Sequence, residues 1–217
     1  MKSRSMLALC FGAALLVGAV AAAQDLKPGN LPEPQLTIGK PLMEVLKARK
    51  SSRDFKQEKL PSQTLSNLLW AACGVNRPEA GKRTAPTARN KQEIDVYVAT
   101  ADGLFLYDAK KHSLDLIVSD DIRAKCGTQD YVKNAPVNLV FVADYSRMSE
   151  RTEAEKQALS WADTGFISQN VYLYCASEGL ATVVRALIDR DELAKAMKLP
   201  PDQKITLSQS VGLPQSK

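Results

Sequence analysis

The run Asp95 to Tyr107 (DVYVATADGLFLY) decides the fold class. Asp95 to Thr100 alternates with the two-residue period of a strand. Asp102-Gly103 is a turn pair and Leu104 to Tyr107 returns, so the stretch reads as a hairpin. Residues 109–113 (AKKHS) turn again into a third strand, Leu114 to Val118 (LDLIV). Farther on, Ala135-Pro136 leads into Val137 to Ala143 (VNLVFVA), an apolar run typical of a strand buried on both faces. Val183 to Leu187 and Ile205 to Val211 complete the strand signals.

Between these runs the period changes. Pro41 suits a first helical turn, and Leu42, Val45 and Leu46 recur at helical spacing to about Lys50. A second helix is expected over Pro61 to Cys73, with Ser62 as its cap, Leu65, Leu68 and Leu69 on one face and Gly74 at its end. Residues 121–133 are expected to be helical. Residues 150–180 read as one long helix closed by Gly179, and 190–198 as a short amphipathic helix. Residues 75–92 lack an apolar period and read as a loop. The sum is an α+β domain, a central and mostly antiparallel sheet flanked by helices.

Composition narrows the chemistry. The chain has 217 residues, a net charge of +5 and a single histidine, His112. One histidine excludes a His₃ or Cys₂His₂ zinc site within the chain, so no metal site is expected. A Ser-His-Asp triad would have to run through His112, which sits among lysines in a turn with no adjacent partner and reads as structural or exposed. GxGxxG and GxxxxGK[ST] are absent, and the charge is too mild to indicate nucleic acid.

Residues 1–23 carry the pattern of a secretory signal: Lys2 and Arg4, apolar Leu7 to Val20, then Ala21-Ala22-Ala23 before Gln24. Cleavage after Ala23 predicts a periplasmic or secreted chain with no membrane attachment afterwards; the alternative is an uncleaved anchor helix. Residues 24–40, with Pro28, Pro32 and Pro34, read as an extended arm, and 41–217 as the folded domain. Cys73, Cys126 and Cys175 remain, an odd number that allows one bridge and selects no pair.

Two polar clusters are candidate sites. Arg49-Lys50-Ser51-Ser52-Arg53 places three cations in five residues at a helix exit. Such a run is either a solvated charged face or a phosphate site, where Arg forks, a Lys point charge and a Ser hydroxyl converge. Arg83-Thr84-Ala85-Pro86-Thr87-Ala88-Arg89-Asn90-Lys91-Gln92 is either a plain surface loop or a loop that hydrogen-bonds a planar ring or a sugar chain. The long helix, with Phe166, Ile167, Val171, Leu173 and Tyr174, is either core or a dimer interface.

Six segments stand in order along the chain: Arg49 to Phe55 (RKSSRDF), Arg83 to Asn90 (RTAPTARN), Gly103 to Asp108 (GLFLYD) with His112-Ser113-Leu114, Asn134 to Val137 (NAPV), Asp163-Thr164-Gly165 with Gln169-Asn170 and Gly179 to Thr182 (GLAT), and Ser210 to Pro214 (SVGLP). In that order they resemble the motifs of the FMN-dependent nitroreductase family: R-R-S-x-R-x-F, R-x-x-P-S-A, D-x-G-x-x-x-Q-N…G-L-G-T and a closing V-G-Y-P. The G-L-Y-x-Y-D…H-x-L hairpin and the A-P strand entry are similar to the branch that includes the thiazole/oxazole-forming peptide dehydrogenases.

The resemblance implies a nitroreductase-like sandwich, an intertwined homodimer, and two FMN molecules at the subunit interface. Carried over by motif, Arg49, Lys50, Ser51 and Arg53 hold the phosphate and ribityl chain. Pro86, Thr87, Ala88 and Asn90 line the isoalloxazine, partly from the other subunit. The implied activity is that of an exported FMN-dependent oxidoreductase, with ping-pong hydride or electron transfer from NAD(P)H or another donor to a small-molecule or peptide substrate. That cycle needs no protein acid or base, so no catalytic residue is assigned. The alternative is a flavin- or ligand-binding protein on the same fold with little turnover. Ala181 and Ala186 stand where the family often has Gly, Leu187 follows beside the expected flavin, and Lys217 is the candidate for the family's C-terminal basic residue.

Overall fold

A computed structural model of the chain describes residues 25–215. The expected signal segment and Lys217 lie outside the described residues. In chain order the elements are β1 (Gly29–Asn30), α1 (Leu42–Ala48), α2 (Ser62–Cys73), β2 (Val75–Arg77), β3 (Lys82–Arg83), β4 (Ile94–Thr100), β5 (Gly103–Asp108), β6 (Ser113–Val118), β7 (Val137–Asp144), α3 (Glu153–Glu178), β8 (Ala181–Arg185), α4 (Arg190–Met197) and β9 (Gln203–Gly212).

Seven strands form one sheet in the order β1-β6-β5-β4-β7-β9-β8, and each pairing in it is antiparallel. The β4–β5 hairpin closes with Thr100 opposite Gly103. Gly103 sits at φ +131, and a Cβ there would stand 2.5 Å from the Val118 carbonyl oxygen, so this corner accepts only glycine. The strand period sorts the core into two layers. Val96, Val98, Phe105, Leu139 and Phe141 pack under α2 and α3. Tyr97, Ala99, Leu104, Val140 and Val142 face the other way, against Ile122, Val132 and α4 through Leu193 and Met197. The central strand β7 is buried on both faces, which is why VNLVFVA is apolar but for Asn138, whose amide donates to the Val132 carbonyl.

α3 is the spine of the helical layer. Its start is fixed by a reciprocal capping box: Thr152 Oγ1 accepts from the Glu155 N–H and the Glu155 carboxylate accepts from the Thr152 N–H. Gly179 ends it at φ 72, its N–H donating to the Cys175 carbonyl.

Four local expectations change. Residues 121–133 form two 3₁₀ turns, Arg123–Lys125 and Val132–Asn134, rather than a helix. Asp121 captures both the backbone N–H and the guanidinium of Arg123, local bonds that compete with helix continuation. Ser62 does not cap α2; Pro61 occupies that position with no side-chain bond. The 75–92 stretch holds the small β2–β3 hairpin and two further 3₁₀ turns. β8 begins at Ala181, two residues before the expected Val183.

The arm is extended but not loose. Gly29 and Asn30 pair with Leu114 and Ser113 of β6. His112, at φ 50, clamps it: Nδ1 lies 2.8 Å from the Tyr107 hydroxyl, and Nε2 2.8 Å from Ser66 Oγ and 3.1 Å from the Pro32 carbonyl. Burial lowers the His112 pKa, and the residue has the structural role expected of it. Cys73, Cys126 and Cys175 are all free and buried, so no bridge forms among them. Burial raises their thiols, Cys73 to about 11 and Cys126 to about 12, which keeps them inert.

Candidate functional site

α1 ends at Ala48, and Arg49 caps it with its N–H on the Val45 carbonyl. The chain then leaves in extended form (Arg49 φ −56, ψ 123), so Arg49–Arg53 is an irregular segment and not a helical face. It is stitched down at two points. The Ser52 N–H donates to the Thr182 carbonyl at the sheet edge (2.9 Å), and buried Phe55 forms a bridge with Pro214. Tyr172 of α3 organises the cluster from below. Its oxygen accepts the Val184 N–H (3.1 Å) and lies 2.8 Å from Ser51 Oγ. Either hydroxyl can donate to the other, and the contact fixes where Ser51 Oγ sits. The Arg49 guanidinium lies over the Tyr172 ring, 5.2 Å from its centroid.

Among the described residues, Arg49, Lys50 and Arg53 have no carboxylate within ion-pair distance. Some other cations of this chain do, such as Lys91 with Glu150 at 2.9 Å and Arg147 with Asp95 at 2.7 Å. A group made of cations and a hydroxyl, with no acid among them, is a donor set suited to phosphate.

The second cluster is built in the opposite manner. Ala85 is buried, Thr87 and Ala88 are half-buried, and Pro86 and Asn90 are exposed. Arg89, Asn90 and Gln92 sit at φ 54, 56 and 50, a left-handed conformation that costs a non-glycine residue about 1–2 kcal/mol. Many bonds hold it there. The Ala88 N–H donates to Asp163 Oδ2 (3.3 Å), and the Gln92 N–H to Thr87 Oγ1 (2.9 Å). Gln92 Nε2 donates to the Gly81 carbonyl (2.7 Å) and to Asn90 Oδ1 (2.9 Å), while Arg147 donates to the Gln92 carbonyl (2.7 Å).

Directly after this loop comes Glu93, only 1% exposed, with no hydrogen-bond partner on either carboxyl oxygen among the described residues. Burial pushes its carboxyl up to about 7, with neighbouring Asp163 adding to the rise and Arg147 opposing it.

One chain does not bring the two clusters together. Both hang from α3, one at Asp163 and the other at Tyr172. Nine helical residues separate these anchors by about 13 Å along the axis and half a turn around it. Ala186 and Leu187, just past β8, are exposed, Leu187 at 62%. A cavity of about 880 Å³ lies elsewhere, between the arm and the β4–β5 turn. Of its four lining cations, Lys59 and Arg123 are paired with Asp102 and Asp121, while Lys27 and Lys133 have no ion pair among the described residues.

Tyr172, Asp163 and Glu93 were not foreseen as site residues. Asp163 stands in the D-x-G motif, and a tyrosine on an apolar helix face needs a hydroxyl partner, so two of the three left a signal. Glu93 left none; it precedes its strand as any flanking charge does.

Comparisons with known proteins converge. The model of the nitroreductase family matches residues 46–213. A nitroreductase-family protein of Methanocaldococcus jannaschii is 28% identical over 168 residues, covering 73% of this chain and 84% of that one. The crystal structure of a nitroreductase-family protein from Ralstonia eutropha superposes with a TM-score of 0.85 at 46% identity, over 91% of this chain and 94% of that chain. A chain of the Escherichia coli microcin synthetase McbBCD complex shares the fold at 16% identity, with a TM-score of 0.66 over 99% of this chain and 79% of that one.

Proposed function

The chain belongs to the nitroreductase family, a family of oxidoreductases, and on that premise we propose that it is an exported, FMN-dependent oxidoreductase acting as a homodimer. The observation that carries the reading is the unneutralised Arg49-Lys50-Ser51-Arg53 cluster seated on Tyr172. Its chemistry fits a phosphate monoester with a polyol chain. Arg49, Lys50 and Arg53 take the phosphate, and the Ser51 hydroxyl is a further hydrogen-bonding group for it or for the ribityl chain. Bound FMN supplies reversible hydride and electron transfer.

A second copy of the chain completes the site. Pro86, Thr87, Ala88 and Asn90 are anchored on the far side of α3 from the cations, so the reading takes them from the partner to line the isoalloxazine. Exposed apolar side chains support the same dimer. Leu42, Met43 and Leu46 of α1 are 61, 75 and 43% exposed, and Phe166 of neighbouring α3 is 47% exposed. An apolar patch of this kind on a soluble domain marks an interface. In the dimer Ala186 and Leu187 border the ring and exclude water from it. The electron donor is NAD(P)H or another reductant, and the acceptor a small molecule or a peptide.

The test is the visible spectrum of the purified mature protein with size-exclusion chromatography. A flavin band that bleaches with a donor, on a dimer, is expected. A band that no donor bleaches turns the reading into a flavin-binding protein, and failure to take up added FMN ends it. N-terminal sequencing of the exported form is expected to begin at Gln24; an intact Met1 in the cytoplasmic fraction removes the export part.

A further inference from the structure

We infer that Glu93 and Asp163 form a one-proton carboxyl pair that positions the strained 87–92 loop, making the ring-facing half of the site sensitive to pH. The consequence for FMN rests on the cofactor reading above; the pair itself does not.

The geometry is as follows. Glu93 is 1% and Asp163 4% exposed. Among the described residues no donor reaches either Glu93 oxygen, and the acidic group facing it is Asp163, itself an acceptor. Two ionised carboxylates in a dry pocket repel, and a carboxylate cannot donate to another without a proton. A proton on Glu93 converts the contact to a donor–acceptor bond and leaves Asp163 Oδ2 free to hold the Ala88 N–H.

The remaining groups packed around the pair do not supply the missing charge. Arg147, from the turn after β7, lies near Glu93, but its guanidinium is taken by Asp95 at 2.9 and 2.7 Å and by Asp144 at 3.3 Å. On α3, Ser160 stands one turn before Asp163, buried and with an unpartnered hydroxyl. From the loop side comes the Ala88 backbone N–H.

Loss of the proton therefore pushes Asp163 away from Glu93, loosens the Ala88 anchor, and lets three left-handed residues relax. The sign follows. The Glu93 carboxyl is raised from 4.5 to about 7 in the fold, so the native state holds its proton more tightly than the unfolded chain. The contribution of Glu93 to stability is therefore largest below about pH 4.5, falls as pH rises to about 7, and is level above.

The experiment has two arms. On the apoprotein, infrared difference spectra and thermal unfolding are followed from pH 5 to 8.5 for the wild type and Glu93→Gln. A protonated-carboxyl band at pH 6 that fades by pH 8.5 and is absent from the variant is expected. So is a wild-type unfolding temperature that drops across this range relative to the variant. In the second arm, FMN affinity is read by fluorescence quenching; about a tenfold fall from pH 6 to 8 is expected for the wild type, and a flat profile for Glu93→Gln. Should Glu93→Gln fail to fold, Asp163→Asn is measured instead and is likewise expected to be flat. No buried carboxyl band, or identical pH profiles for wild type and variant, overturns the pair. Absence of FMN binding at any pH, with the apoprotein signature intact, defeats the cofactor reading alone.

Discussion

On the proposed reading, the Arg49–Arg53 segment and the Pro86–Gln92 loop hold one ligand in two different ways. The first is open: its cations face solvent without partners, and its backbone is ordinary. The second is closed: its backbone is left-handed at three residues, its side chains bond one another, and an acid pair lies beneath it. Charge that waits for a ligand needs little scaffolding, because the ligand completes it. A wall for an uncharged ring must be held in shape beforehand, and the protein stores strain there.

Four variants test that contrast. The largest effect is expected from the double change Arg49→Ala and Arg53→Ala. Each charge-assisted bond is worth about 1.5–3 kcal/mol, so FMN affinity should fall at least about a hundredfold while the circular dichroism spectrum stays native. Raising ionic strength should weaken wild-type binding in the same direction. A drop below threefold in a titration would falsify the phosphate assignment.

Asp163→Ala is next. It strips the Ala88 N–H of its acceptor, and about 1–2 kcal/mol of stability should go with it in a urea titration. FMN should bind more weakly while inorganic phosphate binds as before. Equal losses for both ligands would show that the two regions are not independent.

Tyr172→Phe removes the hydroxyl shared by Ser51 and Val184 and keeps the ring under Arg49. About 1 kcal/mol, or roughly fivefold in FMN affinity, is expected. No change would mean that Ser51 needs no orientation. The smallest effect belongs to Arg89→Gly, which relieves one left-handed residue at φ 54 and should raise stability by no more than about 1 kcal/mol. A marked loss on calorimetry would argue that the Arg89 side chain, and not its backbone, is what matters.

The difference between the regions also explains what could be read from residues alone. RKSSR announces itself because three cations in five residues are a compositional signal, and the hairpin strands do so because their period is local. The 121–133 segment misled because its residues suit a helix, while Asp121 and a distant neighbour decide otherwise. A Cβ at Gly127 would stand 2.6 Å from Arg185 Cδ, a contact made across 58 residues of sequence. The left-handed run at Arg89, Asn90 and Gln92 contains no glycine to betray it. Burial of Glu93 beside Asp163 is a matter of α3 crossing the start of β4, which local pattern does not contain.

One consequence of the arm concerns how copies of this chain avoid the wrong kind of association. The outer edge of β6 would otherwise present unpaired backbone to any passing strand. Gly29 and Asn30 occupy it, and the prolines on either side, Pro28 and Pro32, have no N–H with which to extend the ladder. Two paired residues, locked by the His112 clamp, thus end the sheet. A chain trimmed before Leu31 should keep its core and its cations yet stack edge to edge, forming soluble aggregates that light scattering would detect well below the temperature at which the domain melts.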